Sequence, residues 1–356
     1  MNEPLRYGLI GTGMMGLEHQ RNLYAIPDVE VVAAADPSPT SLEWATFTAE
    51  GRDLATFADY RDLLAADLCD AYVISSPNFT HRGVLDDVMA TGKALLVEKP
   101  MCTTIADAAF IRDAARDYDN VFWVGLEYRY MPPVTKAIEI AASGELGELA
   151  MIAIREHRHP FLVKVGDWNR FNDNTGGTLV EKCCHFFDLM RLIARSEPVA
   201  VSAFGGQSVN HLDELYDDRV PDILDNALVI VEFQNGIRAS LDLCMFAEGT
   251  THNEELSIVG DRGKVEAFLP SGLLRRGARS GWTAGVEESV VRDERVLVEG
   301  FHHGASFLEH LDFVRAVREN TPALVTADDG FWSVVMGVAA HRAIDERRVV
   351  EIGELL

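Results

Sequence analysis

Three residues carry the chemistry that this sequence suggests most directly: Lys99, Glu181 and His185. Lys99 stands in Glu98-Lys99-Pro100, a charged pair at the carboxyl end of the apolar run 94–97, and the proline constrains the backbone after the lysine through a trans or a cis bond. An amine there can serve as general acid or base if burial and a nearby cation lower its pKa. The plainer reading is a salt bridge at a strand end. Glu181, His185 and Asp188 fall at i, i+4 and i+7 of a helix expected to start after Gly176-Gly177, so they share one polar stripe, with Val180, Cys183, Cys184, Phe187 and Met190 on the buried side. A carboxylate one turn before a histidine can orient the imidazole and hold its tautomer. The competing reading is an exposed helical pair, stabilising by about a few tenths of a kcal/mol. For Cys183 and Cys184, core packing is simpler than a redox role.

An acid/base set of this kind needs a partner in the reaction, and the N-terminus supplies the means to hold one. Residues 5–16 read LRYGLIGTGMMG, an apolar run ending in Gly11-x-Gly13-x-x-Gly16, followed by the helical stretch 17–26. Gly11 permits the turn, Gly13 lets the backbone approach a pyrophosphate, Gly16 allows close helix–strand packing, and the helix N-terminus offers N–H donors. Thr12, Met14 and Met15 complete that loop. The β-rich run 29–35 ends in Asp36, twenty residues after Gly16, where a carboxylate can accept both ribose hydroxyls of a dinucleotide. No Arg or Lys follows until Arg52, so a 2′-phosphate meets repulsion without a partner, and NAD is expected rather than NADP. The buried run 71–75 opens into Ser75-Ser76-Pro77-Asn78-Phe79-Thr80-His81, on the edge where open α/β sheets bind ligands. Ser76, Asn78 and His81 there either touch the cofactor or serve local structure, Asn78 in an Asx turn and His81 in the first turn of a helix over 81–91. Glu98 and Lys99 face the same crevice.

Strands alternate with helical stretches to about residue 124, which implies a parallel sheet covered on both faces. Beyond it the pattern changes to consecutive strand-like runs: LAMIAIREHRH, VAVSAFGGQSV, DNALVIVEFQNG, IRASLDLCMFA and EELSIVGDRGKVEAFLP. These predict a mostly antiparallel sheet, with hairpin turns at 234–236 and 260–263. The expected architecture is therefore α/β, with a Rossmann domain over 1–124 and an α+β substrate-binding and oligomerisation domain over 125–356. Its C-terminal helices, SFLEHLDFVRAVREN and GFWSVVMGVAAHRAIDE, can pack back on the first domain.

The segment 155–170, REHRHPFLVKVGDWNR, concentrates Arg155, Arg158, Lys164 and Arg170 in a chain whose formal charge is −24. Such a cluster either holds an anionic group or pairs with the many acids of the surface. The acidic balance argues against nucleic acid as a partner. The five cysteines show no CxxC spacing, no metal is expected, and reduced thiols point to the cytoplasm. No apolar run approaches the roughly eighteen residues of a membrane span, and the first residues carry no basic, apolar, cleavable pattern.

Taken together, these motifs resemble the Gfo/Idh/MocA family, named for glucose-fructose oxidoreductase and inositol dehydrogenase, over nearly the whole chain. The resemblance rests on GxGxxG, Asp36, Glu98-Lys99-Pro100 and the run VFWVGLEYRYMPP with Arg129 and Pro132. It extends through Gly144-Glu145-Leu146-Gly147, Trp168 and Arg170 ahead of the glycine pair, and Asp225-Asn226-Ala227. It implies that Lys99 lies beside the nicotinamide and the substrate hydroxyl. It also implies that 181–185 corresponds to the family's D-x-x-x-H segment, with Glu181 one methylene longer than the usual aspartate. The implied activity is hydride transfer between NAD and a secondary hydroxyl of a sugar, polyol or sugar acid. Lys99 and His185 would move the proton, with Arg129, Arg158, Lys164, Arg170 and Lys182 as substrate contacts. Two alternatives accompany it: an NAD-dependent glycosidase acting on an anionic glycoside, favoured by the cationic segment and Lys182, and an NAD-binding regulatory protein. A homo-oligomer, dimer or tetramer, is implied as well.

Overall fold

The protein is described by a computed structural model covering residues 3–281 and 285–356. Its first sheet has six parallel strands: β1 (Leu5–Ile10), β2 (Val29–Ala35), β3 (Ala55–Phe57), β4 (Ala71–Ile74), β5 (Ala94–Glu98) and β6 (Phe122–Gly125). Their order, β3-β2-β1-β4-β5-β6, is doubly wound, with its switch point between β1 and β4. The strands β4, β5 and β6 are buried throughout, which is why they read as unbroken apolar runs rather than alternating ones. Five helices connect them: α1 (Met14–Tyr24), α2 (Pro39–Thr48), α3 (Tyr60–Ala65), α4 (His81–Met89) and α5 (Ile105–Arg116).

The run after β6 is shorter as a strand than its sequence suggests. The chain leaves the sheet at Gly125 and makes a single 3-10 turn, Glu127–Tyr130, before α6 (Pro132–Ala142). That turn brings Glu127, Tyr128 and Arg129 to the carboxyl edge of the first sheet. The second sheet follows, formed by β7 (Leu149–His157), β8 (Pro198–Gly206), β9 (Asn226–Phe233), β10 (Arg238–Cys244), β11 (Glu254–Gly260), β12 (Gly263–Leu269), β13 (Leu273–Ala278), β14 (Val286–Val290) and β15 (Val350–Glu351). The order is β14-β13-β12-β11-β7-β10-β9-β8-β15, antiparallel except for the pair β7 and β10. Both expected hairpins are present, joining β9 to β10 and β11 to β12. Along β9 buried and exposed residues alternate, as in a sheet with one open face.

Between β7 and β8 lie α7 (Asn172–Thr175), α8 (Thr178–Glu181) and α9 (Cys184–Ala194); after β14 come α10 (Ala305–Glu319) and α11 (Ala327–Glu346). Helix α10 packs against α1, and α11 against α5 and α9. Trp123 of β6 donates its indole N–H to Glu309 of α10 at 3.0 Å, a buried bond that ties this helix to the first sheet. In the connection from β8 to β9 the buried Asp225 carboxylate accepts the backbone N–H groups of Ser208, Val209 and Asn210, which anchors both of its ends together.

Candidate active site

The nucleotide cradle forms where β1 turns into α1. Gly11 has φ +91°, and a Cβ there would stand 2.6 Å from the backbone nitrogen of Ser76; a Cβ on Gly16 would stand 2.2 Å from the Gly11 carbonyl oxygen. A Cβ on Gly13, by contrast, meets nothing within 4 Å. The two outer glycines are therefore needed for chain-to-chain packing, and the middle one faces open space at the start of α1. No side chain caps that helix, so its first N–H groups remain available to an anion. The turn is pinned from β4 by Ser75, whose hydroxyl donates to the Gly11 carbonyl at 2.8 Å. At the end of β2 the half-buried Asp36 accepts the Thr12 N–H at 2.7 Å, the Thr12 hydroxyl at 3.3 Å and the Ser38 N–H at 2.8 Å. The carboxylate is thus fixed in direction beside the glycine turn. Asn78 is buried, and its Nδ2 has no hydrogen-bond partner among the described residues, as a group reserved for a ligand would be. Open space above Gly13, uncapped amides, an oriented acid and an orphaned amide fit a dinucleotide.

His81 does not belong to this cradle. It is wholly buried, with Nδ1 2.9 Å from the Pro100 carbonyl and Nε2 2.9 Å from the Ser76 carbonyl, so it holds backbone together. Ser76 likewise spends its hydroxyl on Thr80 at 2.7 Å.

Beside the cradle, β5 ends in buried Glu98, and the Lys99–Pro100 bond is cis. Glu98 bonds His19 of α1 at 2.8 Å, and the other nitrogen of His19 bonds His310 of α10 at 2.8 Å. Burial alone would raise Glu98, but the His19 hydrogen bond and the surrounding positive charge hold it well below the usual carboxylate range. Lys99 Nζ donates to the Glu181 carbonyl at 3.3 Å. Contrary to the expectation of a lowered value, its pKa is raised: burial lowers it, but Cys184, Glu98, Glu127 and Glu181 together outweigh that penalty. Lys99 is accordingly an ammonium.

The single helical stripe expected over 178–190 is broken. Helix α8 ends at Glu181 and α9 begins at Cys184, the break lying where Lys182 turns to Glu156 of β7 at 2.9 Å and to the Tyr128 hydroxyl. Consequently Glu181 does not orient His185; no hydrogen bond or ion pair within 4.0 Å joins their side chains among the described residues. Burial raises Glu181, against the charges of Lys164, Lys99, Arg170 and Arg158. His185 instead stacks flat on Tyr128, ring centroids 3.9 Å apart and planes 7° from parallel, and its Nε2 lies 3.6 Å from Glu127 Oε1. The imidazole is pushed well below its ordinary value by burial, then by Lys99, Lys182, His302 and Arg158, so it is neutral. Cys183 and Cys184 are buried in the core, and burial pushes the Cys184 thiol up to about 12.

Most of the cations suggested as substrate contacts are already paired. Arg129 forks onto Asp188, with Nε at 2.6 Å, reaches Asp329 at 3.1 Å and also bonds the Leu324 carbonyl, so it locks the 3-10 turn to α9 and α11. Arg158 and Lys182 share Glu156, at 3.4 and 2.9 Å, and buried Arg170 bonds Glu214 at 3.0 Å. Arg155 pairs with Glu255. Of the two readings of the 155–170 cluster, pairing with acids describes Arg155, Arg158 and Arg170, although Glu156 is a buried acid rather than a surface one. Lys164 differs. It has no ion pair within 4.0 Å among the described residues, sits 5.9 Å from the Trp168 ring, and has its pKa lowered by burial and by Lys99 against the opposing charge of Glu181. Glu127, Tyr128 and His302 were not foreseen. For the first two a signal existed: an acid and an aromatic just past an apolar strand, the same placement that singled out Glu98 and Lys99.

Residues 5–126 match the model of an oxidoreductase family's NAD-binding Rossmann fold, and residues 139–352 match that family's C-terminal alpha/beta domain. The chain belongs to the Gfo/Idh/MocA oxidoreductase family. It is thus an NAD-binding oxidoreductase. The myo-inositol 2-dehydrogenase of Thermotoga maritima is 25% identical over 99% of this chain and 100% of its own length. The scyllo-inositol 2-dehydrogenase (NAD(+)) of Bacillus subtilis is 24% identical over 99% of this chain and 97% of its own. Among solved structures, a levoglucosan dehydrogenase in complex with NADH and levoglucosan superposes with a TM-score of 0.85 at 21% identity, covering 98% of this chain and 100% of that one, a likeness of fold. Among the described residues no helix is long and apolar enough to cross a membrane.

Proposed function

We propose that this family member oxidises a secondary hydroxyl of a sugar or polyol, with NAD held by Gly11 to Gly16, Asp36 and Asn78. When bound, the dinucleotide supplies the hydride acceptor; the chain supplies orientation and the path of the proton. The observation that carries the reading is the pair of opposed proton affinities at the crevice, Lys99 driven toward its charged form and His185 toward its neutral form. Neutral His185 accepts the hydroxyl proton, and the Lys99 ammonium stabilises the oxygen as negative charge develops on it. Tyr128 holds the imidazole plane, the part first assigned to Glu181. Glu181 and Lys164 then remain as substrate contacts, and the inositol dehydrogenases among the relatives support a neutral polyhydroxyl substrate. Of the two features that favoured the glycosidase alternative, Lys182 is engaged by Glu156, and of the arginines and lysines in the cationic segment Lys164 alone has no ion pair among the described residues. A homo-oligomer fits the outer face of the second sheet, where Met151, Phe204, Leu228 and Ile230 are each more than half exposed.

The test is NADH formation by purified protein with NAD and a panel of myo-inositol, scyllo-inositol, hexoses and pentitols. Turnover by the native protein, and loss of about 10²- to 10⁴-fold of kcat in Lys99→Met with NADH binding retained, is the expected result. Release of aglycone from glycosides without net NADH would replace dehydrogenation by the elimination route. Binding of NADH with no chemistry on any substrate would favour the regulatory reading.

A further inference from the structure

Behind His185 lies a line of buried titratable groups that the proposed reaction does not use. Glu127, on the turn after β6, is almost fully buried, and neither of its carboxyl oxygens has a hydrogen-bond partner among the described residues. Its Oε1 lies between two imidazole nitrogens, His185 Nε2 at 3.6 Å and His302 Nε2 at 3.5 Å. His302, in the approach to α10, places its Nδ1 3.4 Å from Glu18 Oε1 of α1, and that carboxylate also accepts the Ser306 hydroxyl at 3.1 Å and the Phe301 N–H at 3.2 Å. Four separate elements thus deliver His185, Glu127, His302 and Glu18 in sequence. The far end reaches water: the His302 side chain is 18% exposed, whereas those of His185 and Glu127 are 1% exposed.

We propose that Glu127 and His302 form a proton relay that carries the substrate's hydroxyl proton from His185 to solvent. The inference rests on the dehydrogenase reading above. As the alcohol is oxidised, the C–H electron pair leaves as hydride to the nicotinamide, and the O–H proton passes to His185 at Nε2, since Nδ1 is buried away from solvent. Glu127, protonated at rest, gives its proton to His302 Nε2, and the carboxylate so formed takes the Nε2 proton of His185, which returns to its starting neutral form. His302 then releases one proton to water, so one alcohol yields one carbonyl, one hydride and one proton. Separations of 3.5–3.6 Å exceed a hydrogen bond, and catalytic contacts of this kind tighten when substrate is bound.

The electrostatics support the direction of transfer. Glu127 is raised well above its ordinary value by burial and by Glu98 and Glu309, against Lys99, so it holds a proton it can hand on. His302 is lowered by burial and by Lys182, against Glu18 and Glu98, so a proton placed on it is readily lost. Glu18 is kept ionised by His302, His19 and Ser306 despite burial, and its charge stabilises the transient imidazolium. His185 faces Lys99, Lys182, Arg158 and His302, all of which discourage it from retaining a second proton.

Glu127→Gln preserves the shape and neutrality of the buried group and removes only its ability to carry a proton. With whichever of myo-inositol and scyllo-inositol the native enzyme oxidises, kcat should fall about 10- to 100-fold while KM and NADH binding stay near native values. His302→Ala should lose kcat similarly and regain it on addition of free imidazole, a response that a merely structural residue would not give. Variants whose kcat stays within about twofold of native, or a His302→Ala loss that imidazole does not restore, overturn the relay while leaving the dehydrogenase intact. A native protein that oxidises neither inositol overturns the relay along with the substrate reading.

Discussion

The three glycines of the cradle predict two different failures from the same one-methyl substitution. At Gly13 the backbone angles are φ −69° and ψ −161°, which alanine adopts readily, and the added methyl meets nothing within 4 Å. Gly13→Ala should therefore leave stability within about 1 kcal/mol of native, since a small loss of N-cap preference opposes a reduction in unfolded-chain entropy. The methyl nevertheless occupies the space through which a pyrophosphate would reach the first amides of α1. Losing one charge-assisted hydrogen bond there costs about 1.5–3 kcal/mol, which weakens NADH binding about 10- to 100-fold. At Gly16 the same methyl lands 2.2 Å from the Gly11 carbonyl oxygen and 3.1 Å from Ser75 Oγ, so α1 must move away from β1. Overpacking of this kind costs about 1–3 kcal/mol, or about 1–4 °C in Tm for a chain of this length. Gly16→Ala should thus lose both stability and binding. Thermal unfolding and fluorescence titration with NADH, run on both variants, separate the effects. Native affinity in Gly13→Ala, or an unchanged Tm in Gly16→Ala, would refute the assignment of these glycines to ligand approach and to packing respectively.

Arg129→Met should lower stability by about 3–5 kcal/mol, because it leaves buried Asp188 without the guanidinium that neutralises it; a denaturant midpoint close to native would contradict a structural role for Arg129. His341 accepts the Leu179 N–H at 3.1 Å, and burial depresses it from 6.5 to about 4 in the folded chain. Above the unfolded value the two states bind equally few protons. As pH falls from 6.5 toward about 4 the unfolded chain takes up a proton that the folded one refuses, so stability declines on acidification through that window. His341→Gln keeps an acceptor that does not titrate and should flatten this part of the Tm–pH curve, and superimposable curves for the two proteins would rule the mechanism out.

What could be read from the chain before its structure were the features encoded by near neighbours. The glycine spacing, Asp36 at the end of an apolar run and Glu98-Lys99 at the end of another all depend on strand ends, and strand ends are marked by local apolar periodicity and turn residues. The hairpins of the second sheet are legible for the same reason: turns such as Gln234-Asn235-Gly236 bring adjacent strands together without help from elsewhere. The parallel pairing of β7 with β10 has no such local mark. Nor could spacing reveal that α8 and α9 part company at Lys182, since what draws that side chain away is Glu156, on a different strand.

The sequence by itself determined the glycine turn between β1 and α1, the alternation that builds the first sheet and the identity of Lys99 and His185 as the groups worth watching. Only the tertiary structure decided their surroundings: Tyr128 rather than Glu181 steadies the imidazole, and Arg129, Arg170 and Lys182 are committed to acids far along the chain. The physical reason is that a backbone turn is set by a few consecutive residues. The charge and orientation of a buried side chain depend instead on whichever distant groups folding packs beside it, as Arg129 meets Asp188 across 59 residues and Trp123 meets Glu309 across 186.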